Sequence, residues 1–124
     1  MGKRVERTRA GGTWTEARYF SFIRSALRLA SSKYPVKFQV KAAARRNKPE
    51  GVEGRHHFEF QCKECDGWFP DKEISVDHIE PAGSLKKYED LPGFVERLFC
   101  EADNLQVLCD GCHHVKTQAE RKKR

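Results

Sequence analysis

The chain has 124 residues, of which 34% are charged and 38% are hydrophobic. This length suits one domain with an arm. Because the chain is small and polar, it has little apolar material for a hydrophobic core. A bound metal ion would therefore help to stabilise the fold. No segment approaches about 18 consecutive apolar residues, which excludes a membrane span. The N-terminus has no apolar run behind its charges, so we expect no secretory signal, a cytoplasmic location and reduced cysteines.

Charge is distributed unevenly along the sequence. Residues 1–48 carry 13 Lys and Arg against two Glu, a net charge of +11, whereas residues 49–115 have a net charge of −9 and residues 116–124 one of +4. The basic ends predict a polyanionic partner, and the acidic middle predicts metal binding or catalysis. Alternatively, the first 12 residues are a solvated tail that binds nothing. We place a domain boundary near residue 50, where the charge changes sign at a Pro and Gly break.

The first 50 residues predict a basic arm and a helical N-terminal region. Residues 1–12 end in two glycines and predict a flexible arm. Thr13 and Glu16 have the spacing of a capping box, with Thr13 as the N-cap of a helix that ends near Ser31. Apolar residues then recur every three or four positions, which predicts one packed helix face. Residues 36–40 alternate like a strand and residues 42–46 are typical of a helix, and we favour a short second helix.

Residues 51–124 predict a second, mixed region. Short alternating segments at 58–60, 74–76 and 105–108 predict strands that lead to Cys62, Asp77 and Cys109 respectively. Residues 82–103 predict a loop with a short helix, and residues 113–124 predict a C-terminal helix with a basic last turn. The predicted fold class is α+β.

Four cysteines form two pairs with the spacing of metal knuckles, Cys62 with Cys65 and Cys109 with Cys112. Four thiolates fill the tetrahedral shell of a structural zinc ion, so we predict a Zn²⁺ site. Redox or unrelated buried thiols are the alternatives. Cys100 has no partner at this spacing and is expected to be a buried apolar thiol. A closed four-cysteine site keeps no open position, so any hydrolysis must use other residues.

Other residues within this framework could supply that chemistry: Asp77 and His78 follow a strand, Asn104 opens the last strand, and His113 follows the last cysteine. A carboxylate and an imidazole can hold a divalent ion, and a second imidazole can deprotonate water. Neighbours on a strand point to opposite sides, so Asp77 and His78 can share a site only if the strand ends or bends there.

The ordered set of these motifs, completed by Lys116-Thr117, resembles the HNH endonuclease family of the ββα-metal (His-Me finger) superfamily. The resemblance covers roughly residues 56–118. It implies a small zinc-stabilised ββα-metal domain. With the boundary placed near residue 50, this domain comprises residues 51–124 and follows the basic arm and helical N-terminal region of residues 1–50. The resemblance also implies a bacteriophage or prophage source, hence the cytoplasm of a bacterial host.

The resemblance assigns a role to each matching residue. His78 would be the general base, and Asn104 would orient this base, pin its loop or help to hold the ion. Asp77 and His113 would bind the catalytic ion, Mg²⁺ or Mn²⁺, with Ni²⁺ or Zn²⁺ as alternatives. His114, the neighbour of His113, is expected at the surface.

The implied function is metal-dependent hydrolysis of double-stranded DNA by a monomer or weak dimer. The residues expected to contact DNA are basic: Lys116, Arg45, Arg46, Arg121 and Lys122. The alternative is a zinc-stabilised DNA-binding module without catalysis, with phage packaging machinery as a candidate partner. The recognition sequence, and the choice between nicking and double-strand cutting, stay open.

Overall fold

The computed structural model describes residues 4–122, which contain four helices and five strands. The helices are α1 (Glu16–Ser31), α2 (Pro35–Ala43), α3 (Leu91–Leu98) and α4 (Asp110–Lys122). The strands are β1 (Arg45–Asn47), β2 (Phe58–Gln61), β3 (Trp68–Phe69), β4 (Ile74–His78) and β5 (Leu105–Cys109). This mixture confirms the α+β class. The predictions for residues 1–3 and 123–124, at the start of the predicted arm and the end of the predicted C-terminal helix, lie outside the described residues.

The chain divides into two compact units. Unit 1 comprises the chain up to Tyr34 together with Pro81–Phe99, and unit 2 comprises Pro35–Glu80 and the chain from Cys100 onward. β1 and β2 pair across residue 50 within unit 2. The predicted domain boundary near residue 50 stays a prediction. Within residues 4–122, no helix has the length and apolar composition that crossing a membrane requires.

In unit 1 the first helix begins later than the capping box predicts. The N-cap is Thr15, whose hydroxyl accepts a hydrogen bond from the Arg18 backbone N–H at 3.2 Å. The Thr13 hydroxyl instead donates to the carbonyl of Ala10 at 2.7 Å. The prediction of Thr13 as the cap is therefore wrong. The predicted flexible arm also stops short of residue 12, because Arg9 pairs with Trp14 and closes a turn.

The core of unit 1 forms where the apolar face of α1 meets α3 and the segment before it. Phe20 of α1 is 2% exposed, and Phe94 and Leu98 of α3 are fully buried. Ala82 and Leu85 complete this cluster. The predicted helix face is thus confirmed at its centre, around Phe20.

Unit 2 contains two antiparallel sheets, β1-β2-β3 and β4-β5. In the β4-β5 pair, Ile74 lies opposite Cys109 and His78 opposite Leu105. Helices α2 and α4 both pack against β4 and β5. The predicted second helix is confirmed as α2, and the three predicted strands are confirmed as β2, β4 and β5.

Two predicted boundaries in unit 2 are wrong. Arg45 and Arg46 belong to β1 rather than to the helix, because they pair with Phe60 and Glu59 of β2. The last helix begins at Asp110, so Cys112 lies in its first turn rather than before it.

Candidate functional site

The four paired cysteines of unit 2 come together in one cluster. Cys62 and Cys65 lie on the turn after β2, whereas Cys109 ends β5 and Cys112 lies in α4. Their sulfur atoms all lie within 4.8 Å of one another, and Cys65 Sγ and Cys109 Sγ are 4.0 Å apart. Sulfurs around a tetrahedral zinc ion are separated by about 3.8 Å, given a Zn–S distance near 2.3 Å. The cluster can therefore hold a structural zinc ion.

The first cysteine pair lies on a tight turn. The Asp66 N–H donates to the carbonyl of Cys62, and the Cys62 N–H donates to the carbonyl of Gly67, both at 2.9 Å. Asp66 has a φ of 62°, in the left-handed region that an aspartate tolerates better than most residues. A Cβ at Gly67 would lie 2.9 Å from the Phe69 ring, so any larger residue here would force the ring to shift. The turn thus points both sulfurs of the pair towards β5 and α4.

Two thiols of the cluster, those of Cys62 and Cys112, have strongly shifted pKa values. Burial raises the pKa of Cys62, but hydrogen bonds with backbone groups, first that of Cys65, outweigh burial and lower it to about 7. Hydrogen bonding to Cys109 and then burial raise the pKa of Cys112 to about 12. Four crowded thiols cannot all ionise without a compensating cation, which is the charge that zinc supplies. Cys100 is buried outside the cluster, as predicted.

A second polar group forms where β4 faces α4. The Asp77 side chain is 12% exposed, and its Oδ1 lies 3.5 Å from Nε2 of His113 on α4. Its Oδ2 lies 3.0 Å from Nζ of Lys116 and accepts a hydrogen bond from the Gln106 amide at 3.2 Å. The structure therefore brings together the two residues that the resemblance assigns to the catalytic ion.

Asn104 bonds to the backbone of the segment that follows His78. β4 ends at His78, as a shared site requires, and the next residue, Ile79, donates its N–H to the carbonyl of Asn104 at 2.8 Å. The Asn104 side chain accepts from the Glu80 N–H at 2.8 Å and donates to the Glu80 carbonyl at 3.2 Å. Asn104 thus fixes the loop that follows His78. His114 is exposed, as expected.

Sequence reasoning missed two members of the polar group. Gln106 lies opposite Asp77 in the β4-β5 register, so an explicit pairing of the two predicted strands would have found it. Glu120 lies 3.2 Å from Lys116 at i+4 on α4, the spacing at which helix side chains meet. Lys116 was predicted to contact DNA, but its ammonium is held between carboxylates.

The other predicted DNA contacts lie on different elements of unit 2. Arg45 is exposed on β1, and its guanidinium carbon lies 4.3 Å from the centre of the Phe58 ring. Arg46 lies over the Trp68 ring at 4.0 Å and also bonds to Glu59, the buried carboxylate of β2. The last turn of α4 carries the other two, both exposed: Arg121 and Lys122. Arg45 and these two residues are therefore accessible to a polyanion.

A scan of protein-family models finds no match to the chain, and searches of curated proteins and of solved structures find none either.

Proposed function

We propose that this chain is a metal-dependent endonuclease of the HNH type that hydrolyses phosphodiester bonds in double-stranded DNA. The observation that carries the proposal is the distance of 3.5 Å between His113 Nε2 and Asp77 Oδ1. This contact brings together the Asp77-His78 motif and the histidine that follows the last cysteine pair. Asp77 lies on β4 and His113 on α4, and α4 packs on the antiparallel pair of β4 and β5. This arrangement of two strands and a helix supports the ββα unit that the resemblance implies.

The donor atoms at this place suit a divalent ion. Carboxylate oxygens suit Mg²⁺ and Mn²⁺, and an imidazole nitrogen suits Ni²⁺ and Zn²⁺, so this pair offers at least one ligand that each of these ions prefers. Asp77 and His113 would hold the ion, which when bound would stabilise the negative charge on the phosphate and on the leaving 3′-oxygen. The four-cysteine cluster would hold zinc and fix the start of α4, from which His113 projects.

The protein's own groups would perform the proton transfer. His78 would act as the general base that takes a proton from the attacking water, and the products would carry 5′-phosphate and 3′-hydroxyl ends. Asn104 would act as a positioning residue, since its two hydrogen bonds to Glu80 hold the backbone directly after His78.

An end-labelled DNA duplex tests this proposal. With Mg²⁺ or Mn²⁺ we expect cleavage products that a DNA ligase can rejoin, because ligation requires a 5′-phosphate and a 3′-hydroxyl. Asp77→Asn should reduce the cleavage rate by a factor of about 10² or more, whereas the matched control Asp103→Asn, at an exposed aspartate of unit 2, should retain it. Equal rates in wild type and Asp77→Asn, with both proteins folded, would refute the assignment. If the protein binds the duplex but does not cleave it with any metal supplied, the DNA-binding accessory module is favoured instead.

A further inference from the structure

The ammonium of Lys116 makes three polar contacts in the group between β4 and α4. Its ammonium lies 3.0 Å from Asp77 Oδ2, 2.9 Å from the backbone carbonyl of His78 and 3.2 Å from Glu120 Oε1. Its side chain is only 23% exposed. A lysine whose ammonium contacts three oxygens is fixed in position. It therefore differs from a solvated lysine, whose ammonium is free to bind a phosphate.

The position of this ammonium conflicts with metal binding at Asp77. The carboxylate of Asp77 carries one negative charge, and Lys116 already neutralises it at contact distance. A divalent ion at the same carboxylate would be repelled by an ammonium only a few ångströms away, and in a partly buried site such repulsion is poorly screened. Metal binding therefore favours departure of the ammonium from Asp77.

Glu120 offers a second place for the ammonium. Its Oε1 already accepts from Lys116, whereas its Oε2 is buried and has no hydrogen-bond partner among the described residues. A buried carboxylate oxygen without a partner is costly, so a lysine that leaves Asp77 gains by bonding fully to Glu120. Lys116 and Glu120 lie four residues apart on α4, so this shift needs only a change of side-chain rotamer.

We infer that Lys116 is a built-in counter-ion of Asp77, which a divalent ion must displace towards Glu120. The inference rests on the proposed function, because it assumes that Asp77 holds the ion. Lys116 would thus lower the affinity of the site for metal and keep the Asp77 carboxylate neutralised when no metal is bound. A lysine that merely positions Asp77 would have the opposite effect, since its loss would disorder the site and weaken metal binding.

Titration calorimetry with Mn²⁺ on the zinc-loaded protein tests the inference. We expect Lys116→Met to bind Mn²⁺ about three- to tenfold more tightly than wild type, the range that a partly buried ion pair in a charge network implies. The matched control Lys72→Met removes a lysine from an exposed position of unit 2 and should change the affinity by less than about twofold, since its charge is screened. Glu120→Gln should weaken Mn²⁺ binding more in the wild-type background than in Lys116→Met.

The outcomes separate this inference from the proposed function. If wild type binds Mn²⁺ in a manner that Asp77→Asn removes, but a folded Lys116→Met binds equally or more weakly, Lys116 is not a competing counter-ion and the nuclease proposal stands. If neither wild type nor Lys116→Met shows binding that depends on Asp77, both the metal site and the inference are overturned. Equal effects of Glu120→Gln in both backgrounds would remove Glu120 from the exchange.

Discussion

Asp77 has two carboxylate oxygens with different partners. Oδ1 faces the imidazole of His113, whereas Oδ2 is bonded to Gln106 and Lys116. The resemblance predicts that Asp77 is a metal ligand, but the number of ligand positions that its carboxylate offers depends on those partners. Gln106 fixes the orientation of the carboxylate, and Lys116 determines its charge balance. A single aspartate thus combines the proposed metal site with a competing ion pair.

Glu59 is a second carboxylate whose properties depend on its partners. The guanidinium of Arg46 first, and His56 to a smaller degree, bond to this buried side chain and hold its pKa below the ordinary glutamate value, although burial itself raises it. A lowered pKa in the folded state means that ionised Glu59 stabilises the fold above the ordinary pKa, and that this contribution is lost as the pH falls through the lowered value.

Glu59→Gln should therefore lower the melting temperature at pH 7, and the difference from wild type should shrink as the pH falls below the ordinary value of 4.5. Thermal melts across pH 3–7 measure this difference in melting temperature. Any effect of acid on the cysteine cluster is common to both proteins and cancels in the difference. Glu53→Gln, at an exposed glutamate, is the control and should melt like wild type throughout. A Glu59→Gln deficit that stays constant or grows on acidification would contradict the sign of the pKa shift.

At the scale of elements, α4 connects the two candidate metal sites. Cys112, in its first turn, belongs to the four-cysteine cluster, and His113 follows it on the face towards Asp77. One turn further on, Lys116 reaches the same carboxylate. Loss of zinc would therefore release the N-terminal end of the helix that carries the proposed catalytic ligand.

Elements with a strong local sequence pattern were predicted correctly, and those without one were not. Strands β2, β4 and β5 have alternating apolar residues, and both cysteine pairs have a spacing that few other structures require, so the sequence located them. The Thr13 cap failed because Thr13 and Thr15 are equally suited in type, and only the turn closed by Arg9 and Trp14 decides between them. The strand position of Arg45 and Arg46 depends on pairing with residues beyond a loop, which local propensity does not contain. The ion pair of Lys116 was missed for the same reason, because its partner Asp77 is distant in sequence.

Removing one knuckle thiol tests the link between zinc and this helix. Cys65→Ala should reduce the zinc content from about one ion per chain to nearly none, because a structural zinc site requires four ligands. Its melting temperature should fall, since zinc binding contributes directly to folding free energy. Cys100→Ala, at the buried cysteine outside the cluster, should keep its zinc. Elemental analysis and thermal melts measure both quantities, and full zinc occupancy in Cys65→Ala would contradict the four-cysteine site.

At the scale of the whole molecule, the charge distribution is the strongest indication of a polyanionic partner. The basic residues of the first 48 positions and of the C-terminal helix flank an acidic middle segment that contains the candidate catalytic residues. An acidic site repels DNA unless basic residues elsewhere on the chain attract it, so we assign affinity to the basic ends and chemistry to the acidic middle.

This assignment predicts how DNA binding responds to salt. Affinity for a DNA duplex should fall steeply with salt concentration, and Arg45→Ala and Arg121→Ala should each reduce the slope of log affinity against log salt by up to about one. Lys72→Ala, at an exposed lysine of the acidic segment, should leave the slope unchanged. Fluorescence anisotropy with a labelled duplex measures the slopes. A slope that responds to Lys72 but not to Arg45 or Arg121 would contradict the assignment.

The central claim, that this chain is a nuclease with His78 as its base, is tested most directly by cleavage of a supercoiled plasmid. Wild type, His78→Ala and the matched control His114→Ala, at the exposed neighbouring histidine of α4, are compared in EDTA and then in excess Mg²⁺, Mn²⁺ or Ni²⁺. We predict metal-dependent nicking or linearisation by wild type and His114→Ala, and a loss of about 10²-fold or more in His78→Ala. Undiminished cleavage by folded His78→Ala, or a plasmid that wild type binds but never cuts, would contradict the claim.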